Sequence, residues 1–364
     1  MVEFQEFQPI RRVRVIGAGL IGTSIALGLQ HSGFDMAIED EDPATEAIAQ
    51  SLIGQKFPAL EPDLVVIATP IATIPYLIKE LGSRYSRAII IDIGGLKSEL
   101  IAEVEKFPEI ASRFCATHPM AGRELSGPLA ARGDLFEGRI WIYTPNRFSG
   151  EQAIAGALQL IKALGGKEIL LAAGEHDAAI AGISHLPQIV SSLLSATLID
   201  ISDRDISLAG QGLKDVSRLA GSNPRLWGEL LHGNSVALLN FLELFSSHLK
   251  DLSTSLLNDD LRKTEEILEM GRENHARIPG KHGGKRRDYW FLPIVIEDKP
   301  GQLAKIFDAC ALVGANVEDL AIEHTPGQES GLVTLALSQS DATRVFEQLI
   351  ADGWKAHQPR ESLG

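Results

Sequence analysis

A strand that runs directly into three spaced glycines constrains this chain more than any other feature. Arg12 to Ile16 reads RVRVI, and Gly17, Gly19 and Gly22 follow in the spacing G-x-G-x-x-G. Helical periodicity begins at Ile21 and runs to Leu29. In a strand–turn–helix unit the first glycine allows the tight turn, the second lets backbone approach a pyrophosphate, and the third lets helix pack on strand. The phosphates then meet the positive end of the helix. Such a unit commits this part of the chain to a parallel sheet with helices on both faces.

The pattern continues in that sense. Strands are expected at Met36–Glu39, Asp63–Ala68 and Ala88–Asp92, with shorter ones at Phe114–Thr117 and Ile140–Thr144. A helix over Gly150–Leu164 leads to a last strand at Glu168–Ala172. The expected result is an α/β, Rossmann-type parallel-sheet domain over residues 11–173. An acid about 20 residues beyond the glycines is expected to bind a ribose hydroxyl. Asp40 holds that place, with Glu39 competing. No arginine follows closely to neutralise a 2′-phosphate, so NAD is expected rather than NADP. Leu20 and Ile21 at the helix start, Thr69 and Pro70 after the third strand, and Gly95 after the fourth are counted with the cofactor site.

Strand signals vanish between Glu175 and Ala276. Helical stretches take over, including Asp177–Ile199, Leu226–Asp251 and Asp259–Ala276. Several are apolar on more than one face and so must be buried. An all-helical domain over 174–276, dimerising with a second copy, is expected. Residues 277–287, RIPGKHGGKRR, are Gly-rich and aperiodic and read as a linker; an anion or nucleic-acid patch is the competing reading. The tail, 288–364, orders its elements βαββαβ, the ferredoxin-like arrangement.

The formal net charge of −14 argues against nucleic acid or an anionic membrane as partner. It also means that a site for anions must carry its own cations. Cys115 and Cys310 are the only cysteines, too few for a disulfide framework, and no CxxC or metal motif occurs. The N-terminus lacks an apolar signal core, and no apolar run approaches the roughly 18 residues of a membrane span. Cytoplasmic location is the expectation.

A nicotinamide accepts hydride from a carbinol carbon once a base engages the hydroxyl proton. Histidine suits this because it titrates near neutrality. His118, in THPMAGRELSG, follows a strand of the cofactor domain, and Pro119 stops that strand. Open α/β sheets place their ligands at such carboxyl ends. Strand alternation buries Cys115 rather than pairing it with His118.

His118-Pro119-Met120-Ala121-Gly122, followed by Ser126-Gly127, resembles the signature of prephenate and arogenate dehydrogenases. Three further segments match that family in order: Ser184-His185-Leu186-Pro187, Gly212 to Arg218 (GLKDVSR), and Pro224 to Asn234 with Trp227. The resemblance spans roughly Val13 to Arg277. It implies oxidative decarboxylation of prephenate, or of arogenate. His118 would be the base, Arg218 the carboxylate anchor, Asp215 its orienting partner and His185 a substrate-binding group, with Lys214 in the same set. Asp215 and Arg218 as a surface pair, and His185 as a core histidine, are the structural alternatives. His176 and Asp177 match too, but a helix-capping role is expected for them. Two positions depart from the family. Gly95 replaces the serine of D-x-x-S-x-K in Asp92–Lys97, and Gln188 replaces the second histidine of HLPH.

Asp298, Pro300, Gly301 and Leu303, then Asn316 and Val317, resemble an ACT domain, a small amino-acid-sensing module. That implies tyrosine or phenylalanine as effector; a ferredoxin-like domain used only for assembly is the alternative. Two rivals to the whole reading remain open here. One is a dehydrogenase of another acid, such as the β-hydroxyacid dehydrogenases, which lack HPMAG and the tail. The other is a non-catalytic NAD- and amino-acid-binding sensor, suggested by Gly95.

Overall fold

The computed structural model describes residues 10–54, 61–122, 125–278, 289–297, 299–324 and 330–361. By packing, the chain divides into two compact units, one ending at Lys263 and the other beginning at Thr264.

The first unit is built on a seven-stranded sheet. Its strands are β1 (Arg12–Ile16), β2 (Asp35–Glu39), β3 (Leu64–Ile67), β4 (Ile89–Asp92), β5 (Phe114–Pro119), β6 (Ile140–Pro145) and β7 (Lys167–Leu170), in the order β2-β1-β3-β4-β5-β6-β7. β3 is buried along its whole length, as a central strand covered on both faces must be. One apolar cluster, with Val13, Ile25, Leu29 and Trp141, includes side chains of β1 and the glycine-turn helix. A second, with Val65, Ile78, Ile90 and Phe114, includes side chains of β3, β4 and β5.

The sheet is not parallel throughout, which corrects the expectation. β6 runs antiparallel to β5, with His118 opposite Ile142. The physical reason lies in the connection. A parallel return needs a crossover, usually a helix, and the described residues between β5 and β6 contain only the short 3₁₀ turn Pro128–Ala130.

Where periodicity predicts one helix over Asp177–Ile199, the helical run is Ala173–Asp200, and it contains a π turn at Ala181–His185. By length and composition this run is apolar enough to cross a membrane. Charged and polar side chains interrupt it, so no unbroken apolar stretch shows in the sequence. His176, Asp177, His185 and Gln188 on it are buried. The stretch Leu226–Asp251 is two helices, Pro224–Gly233 and Ser235–Leu257, parted at Asn234. Asn223 caps the first, its side chain accepting from Arg225 N and Leu226 N. The third expected helix is Leu261–His275. These helices leave Ile199, Val236, Leu239, Leu256 and Leu257 more than half exposed.

The second unit has a four-stranded antiparallel sheet of order β11-β8-β10-β9, with β8 at Trp290–Glu297, β9 at Asp319–His324, β10 at Ser330–Leu337 and β11 at Lys355–Ala356. Helices Gln302–Leu312 and Gln339–Ala351 bury Ile306, Val345 and Leu349 against Leu292, Ile294 and Leu335. The first helix starts at Gln302, where Gly301 takes a left-handed φ of 86° as its N-cap. β9 starts at Asp319, so Asn316 and Val317 lie in the connection before it. Asp298 and the linker from residue 279 onward lie outside the described residues.

Candidate active site

The order β2-β1-β3 makes β1 the point where successive connections leave in opposite directions, so a crevice opens beyond its carboxyl end. Gly17 crosses that point with φ 101°, and a Cβ on it would meet Ala68 O at 2.4 Å. A Cβ on Gly22 would lie 1.9 Å from Gly17 O. Both glycines are therefore demanded by the fold. Gly19 is not: a Cβ there meets nothing within 4 Å. Gly19 is also the N-cap of helix Leu20–His31, with no side-chain cap. The space beside Gly19 is thus open at the entry of a helix whose first-turn N–H groups have no intrahelical partner, the chemistry a pyrophosphate requires. Asp40 reaches into the turn, its Oδ2 accepting from Ala18 N at 2.6 Å. Glu39 is paired with Arg14 instead. Thr69 and Pro70 follow β3, and the Thr69 hydroxyl accepts from Thr73. The residues present fit a dinucleotide.

The loop after β4 is cinched by a buried ion pair. Lys97 Nζ donates to Asp92 Oδ2 and to Gly94 O, each at 2.7 Å, and both charged side chains are fully buried. Burial pushes Asp92 up and Lys97 down from their usual ranges, and their contact opposes both shifts. Asp92 also accepts from Thr117 N, tying this loop to β5 one residue before His118.

His118 lies near the end of β5, half-buried. Its Nδ1 is 2.9 Å from His176 Nε2, and His176 Nδ1 is 2.7 Å from Asp177 Oδ1. Asp177 also accepts from Lys97 N at 3.0 Å and Ser98 N at 2.8 Å, the entry to helix Ser98–Val104. Burial pushes the Asp177 carboxyl up, but the hydrogen bonds from His176, Ser98 and Lys97 outweigh it and hold the group at about 2. Burial drives His118 well below the usual histidine range; Lys97 and the imidazoles of His176 and His185 add to the effect, and Asp177 opposes it. His185, in the π turn, is 1% exposed. Asn234 joins it to the network, donating to Asp177 O at 2.8 Å and lying 3.2 Å from His185 Nδ1. Trp227 stands edge-on to His185, with ring centroids 6.0 Å apart. π turns are frequent at functional positions.

His118 and His185 are thus brought into one network. Lys214, Asp215 and Arg218 are exposed, and Asp215 accepts from Gln211 Nε2 at 2.7 Å. Their segment is held to helix Leu186–Ala196 by Gln188 Nε2 donating to Leu219 O and Ala220 N donating to Ser191 Oγ. A Cβ on Gly95 would come within 2.9 Å of Leu230 Cδ2 and 3.9 Å of His118 Nε2 and Cε1, so this glycine stands beside the His118 ring. Burial next to Asp92 pushes the Cys115 thiol up to about 12, which removes it from nucleophilic chemistry.

The capping role expected for His176 and Asp177 is corrected. Helix Ala173–Ile180 starts at Ala173, and Glu175 accepts from Ala172 N at its entry. His176 and Asp177 face inward, in the second turn. Their match to the family did not disclose this role, because their partners His118, Lys97 and Ser98 are distant in sequence.

A glycine turn fit for a dinucleotide, and a neutral histidine at the carboxyl edge of the same sheet, define a nicotinamide-dependent dehydrogenase. The chain belongs to the prephenate dehydrogenase family. Residues 25–170 match the family's nucleotide-binding domain and residues 172–270 its dimerization domain. The chain is 29% identical to a probable prephenate dehydrogenase, NovF, of Streptomyces niveus, over 96% of this chain and all of the relative. Prephenate dehydrogenase of Aquifex aeolicus, solved with hydroxyphenyl propionate and NAD+, superposes with a TM-score of 0.67 at 25% identity, covering 75% of this chain and 99% of that one. Arogenate dehydrogenase of Synechocystis does so with a TM-score of 0.61 at 27% identity, over 73% and 99%.

Proposed function

We propose that this protein oxidatively decarboxylates prephenate to 4-hydroxyphenylpyruvate. NAD, when bound, supplies the hydride acceptor. The carrying observation is His118, kept neutral by burial beside Gly95 at the carboxyl edge of the sheet. Its imidazole draws the proton from the ring 4-hydroxyl as hydride leaves the carbinol carbon. The bond to the ring carboxylate then breaks, carbon dioxide leaves, and the aromatic oxygen takes the proton back. Aromatisation drives the reaction, so the protein's part is positioning and charge.

His185 binds the substrate from the π turn. Arg218, with Lys214 and Asp215 on the preceding helical turn, supplies the cationic anchor for a carboxylate that an acidic chain otherwise lacks. Asp40 takes the ribose hydroxyls, which favours NAD over NADP. Initial rates with prephenate and arogenate, each with NAD and NADP, test the assignment. NADH formation with carbon dioxide release from prephenate is the expected result. Arg218→Ala should raise KM for prephenate at least tenfold and leave KM for NAD unchanged; equal weakening of both would give Arg218 a folding role.

One observation favours arogenate as a second reading. Gln188 Nε2 is engaged by Leu219 O and Ser192 Oγ, and its Oε1 is buried with no hydrogen-bond partner. A lone acceptor one turn beyond His185 suits an amino group. Preference for arogenate in the same rate comparison would establish it.

The layout we infer is a cofactor domain over 11–173, a helical domain over 174–276 and a regulatory tail over 288–364. The helical domain pairs two copies. A groove of about 230 Å³ lined by Ile189, Leu231, Leu238 and Leu242, together with the exposed leucines above, supports this. The tail's βαββαβ order and the left-handed Gly301 beside Pro300 support an ACT-type module, with Asn316 and Val317 completing its pocket. Tyrosine or phenylalanine is the proposed ligand. Two buried free thiols agree with a cytoplasmic home.

A further inference from the structure

We propose that Asp177 and His176 are positioning residues that set the protonation of the base: the carboxylate orients His176, His176 orients His118, and the His118 nitrogen left bare is Nε2, the one beside Gly95. This rests on the reading of His118 as base in prephenate oxidation.

The argument is a sequence of forced donors and acceptors. Asp177 sits where two backbone N–H groups, of Lys97 and Ser98, point at its two oxygens. Both donors are at a helix N-terminus, which favours the anion. An ionised carboxylate only accepts. His176 Nδ1, 2.7 Å away, must therefore carry the proton. With one proton on that ring, Nε2 is an acceptor. His118 Nδ1, 2.9 Å from it, must then donate. The hydrogen bond at one ring nitrogen decides the state of the other, so His118 Nε2 keeps its lone pair. Nε2 lies 3.9 Å from the Cβ position of Gly95, on the ring edge away from His176. When Nε2 accepts the substrate's proton, the new imidazolium is stabilised through His176 by the Asp177 carboxylate. No proton need leave His118.

The groups around His118 are arranged to the same end. Lys97, His176 and His185 disfavour a resting cation there, and Asp177 opposes them. Asn234 holds the Asp177 carbonyl and faces His185, so the helical run carrying both positioning residues is itself tied down. His176 is fully buried, so water does not offer it an alternative partner.

The test compares the full-length parent with Asp177→Asn, His176→Leu and Asp177→Glu. Asparagine cannot accept with both arms, and its amide can donate to His176 Nδ1. That reverses the chain and places a proton on His118 Nε2. Expected for Asp177→Asn is a loss of about 10²–10⁴ in kcat, with KM for prephenate within about threefold. Asp177→Glu should recover part of the loss. The readout independent of turnover is nitrogen NMR of histidine-labelled protein with NAD present. His118 should be protonated on Nδ1 in the parent and on Nε2 in Asp177→Asn. A folded Asp177→Asn that keeps the parent's rate and tautomer overturns the proposal. If Asp177→Asn does not fold, His176→Leu decides: an unchanged kcat and an unchanged His118 signal overturn it equally. A parent that forms no NADH from prephenate sinks the assigned reaction, and the tautomer comparison still stands or falls by itself.

Discussion

His118 and His176 meet edge to face, ring centroids 5.1 Å apart, through a 2.9 Å contact between Nδ1 of one and Nε2 of the other. Burial and the nearby Lys97 hold His118 well below the usual histidine range. A base works only when unprotonated, so activity is present above its pKa and is lost as pH falls through it. Here that fall lies well below 6.5. A profile of kcat/KM for prephenate should therefore stay level through pH 6.5 on the acid side. An acid limb at or above 6.5 would mean that His118 is hydrated or is not the base.

The same shifts carry a stability consequence. Between its depressed folded value and 6.5, His118 binds a proton in the unfolded chain and refuses it in the native one, so stability declines as pH falls below 6.5. The Asp177 carboxyl, held at about 2, contributes stability that is complete above the ordinary carboxylate range and is lost as pH falls toward 2. Urea midpoints measured from pH 8 to pH 4 should decrease, and the slope should flatten in His118→Asn. A midpoint independent of pH in both proteins contradicts the burial argument.

Three glycines of one turn should answer differently to alanine. At Gly17 and Gly22 the added methyl collides with backbone at 2.4 and 1.9 Å, so Gly22→Ala should unfold or strongly destabilise the sheet. At Gly19 nothing lies within 4 Å, and the backbone is extended with φ −71°. Gly19→Ala should melt within a few degrees of the parent. Its KM for NAD should nevertheless rise at least tenfold, because the methyl occupies the pyrophosphate's space. Unchanged NAD kinetics in Gly19→Ala would place the phosphates elsewhere.

Gly95 makes a narrower test. A methyl there comes 2.9 Å from the flexible end of Leu230 and 3.9 Å from the His118 ring. Gly95→Ala should thus cost little stability and should crowd the substrate over the base, raising KM for prephenate several-fold. Leu230→Ala in the same chain should relieve part of it. No change in KM on Gly95→Ala would show that substrate does not enter from that side.

What the sequence disclosed follows from how locally each feature is encoded. The glycine turn, Asp40 and the strand carrying His118 each rest on neighbours within one supersecondary unit and were legible, although that strand runs on through Pro119, which pairs with Trp141 instead of stopping it. The β5–β6 pairing was not, because strand patterns carry no direction and the connection lacked a helix to settle it. His176 and Asp177 escaped for a related reason. Their meaning depends on Lys97, Ser98 and His118, which only folding brings near, and an acid close to a helix start looks like a cap. Asn234 was visible as part of a matched segment, but its task of joining His185 to Asp177 is tertiary.

The tail gives the last expectation. The Aquifex aeolicus enzyme is matched over 99% of its length by 75% of this chain, so a related chain forms its fold within that shorter span. Ending this protein after Ile278, past helix Leu261–His275, should leave a folded protein with substantial activity. It should also abolish any response to tyrosine or phenylalanine. A ligand that binds both activity states equally shifts nothing, so the effector must favour one of them; a coupling of about 1–3 kcal/mol would be ordinary. In the full chain, Gly301→Val provides a second probe. Gly301 holds φ 86°, which valine resists, so the turn at the helix N-terminus should deform and the effector response weaken. Dose–response curves of initial rate for the three proteins make the measurement. If the truncated protein responds as the parent does, the effector acts at the catalytic site. If no amino acid changes the rate of the parent, the tail serves assembly, and truncation should then alter the sedimentation of the particle rather than its kinetics.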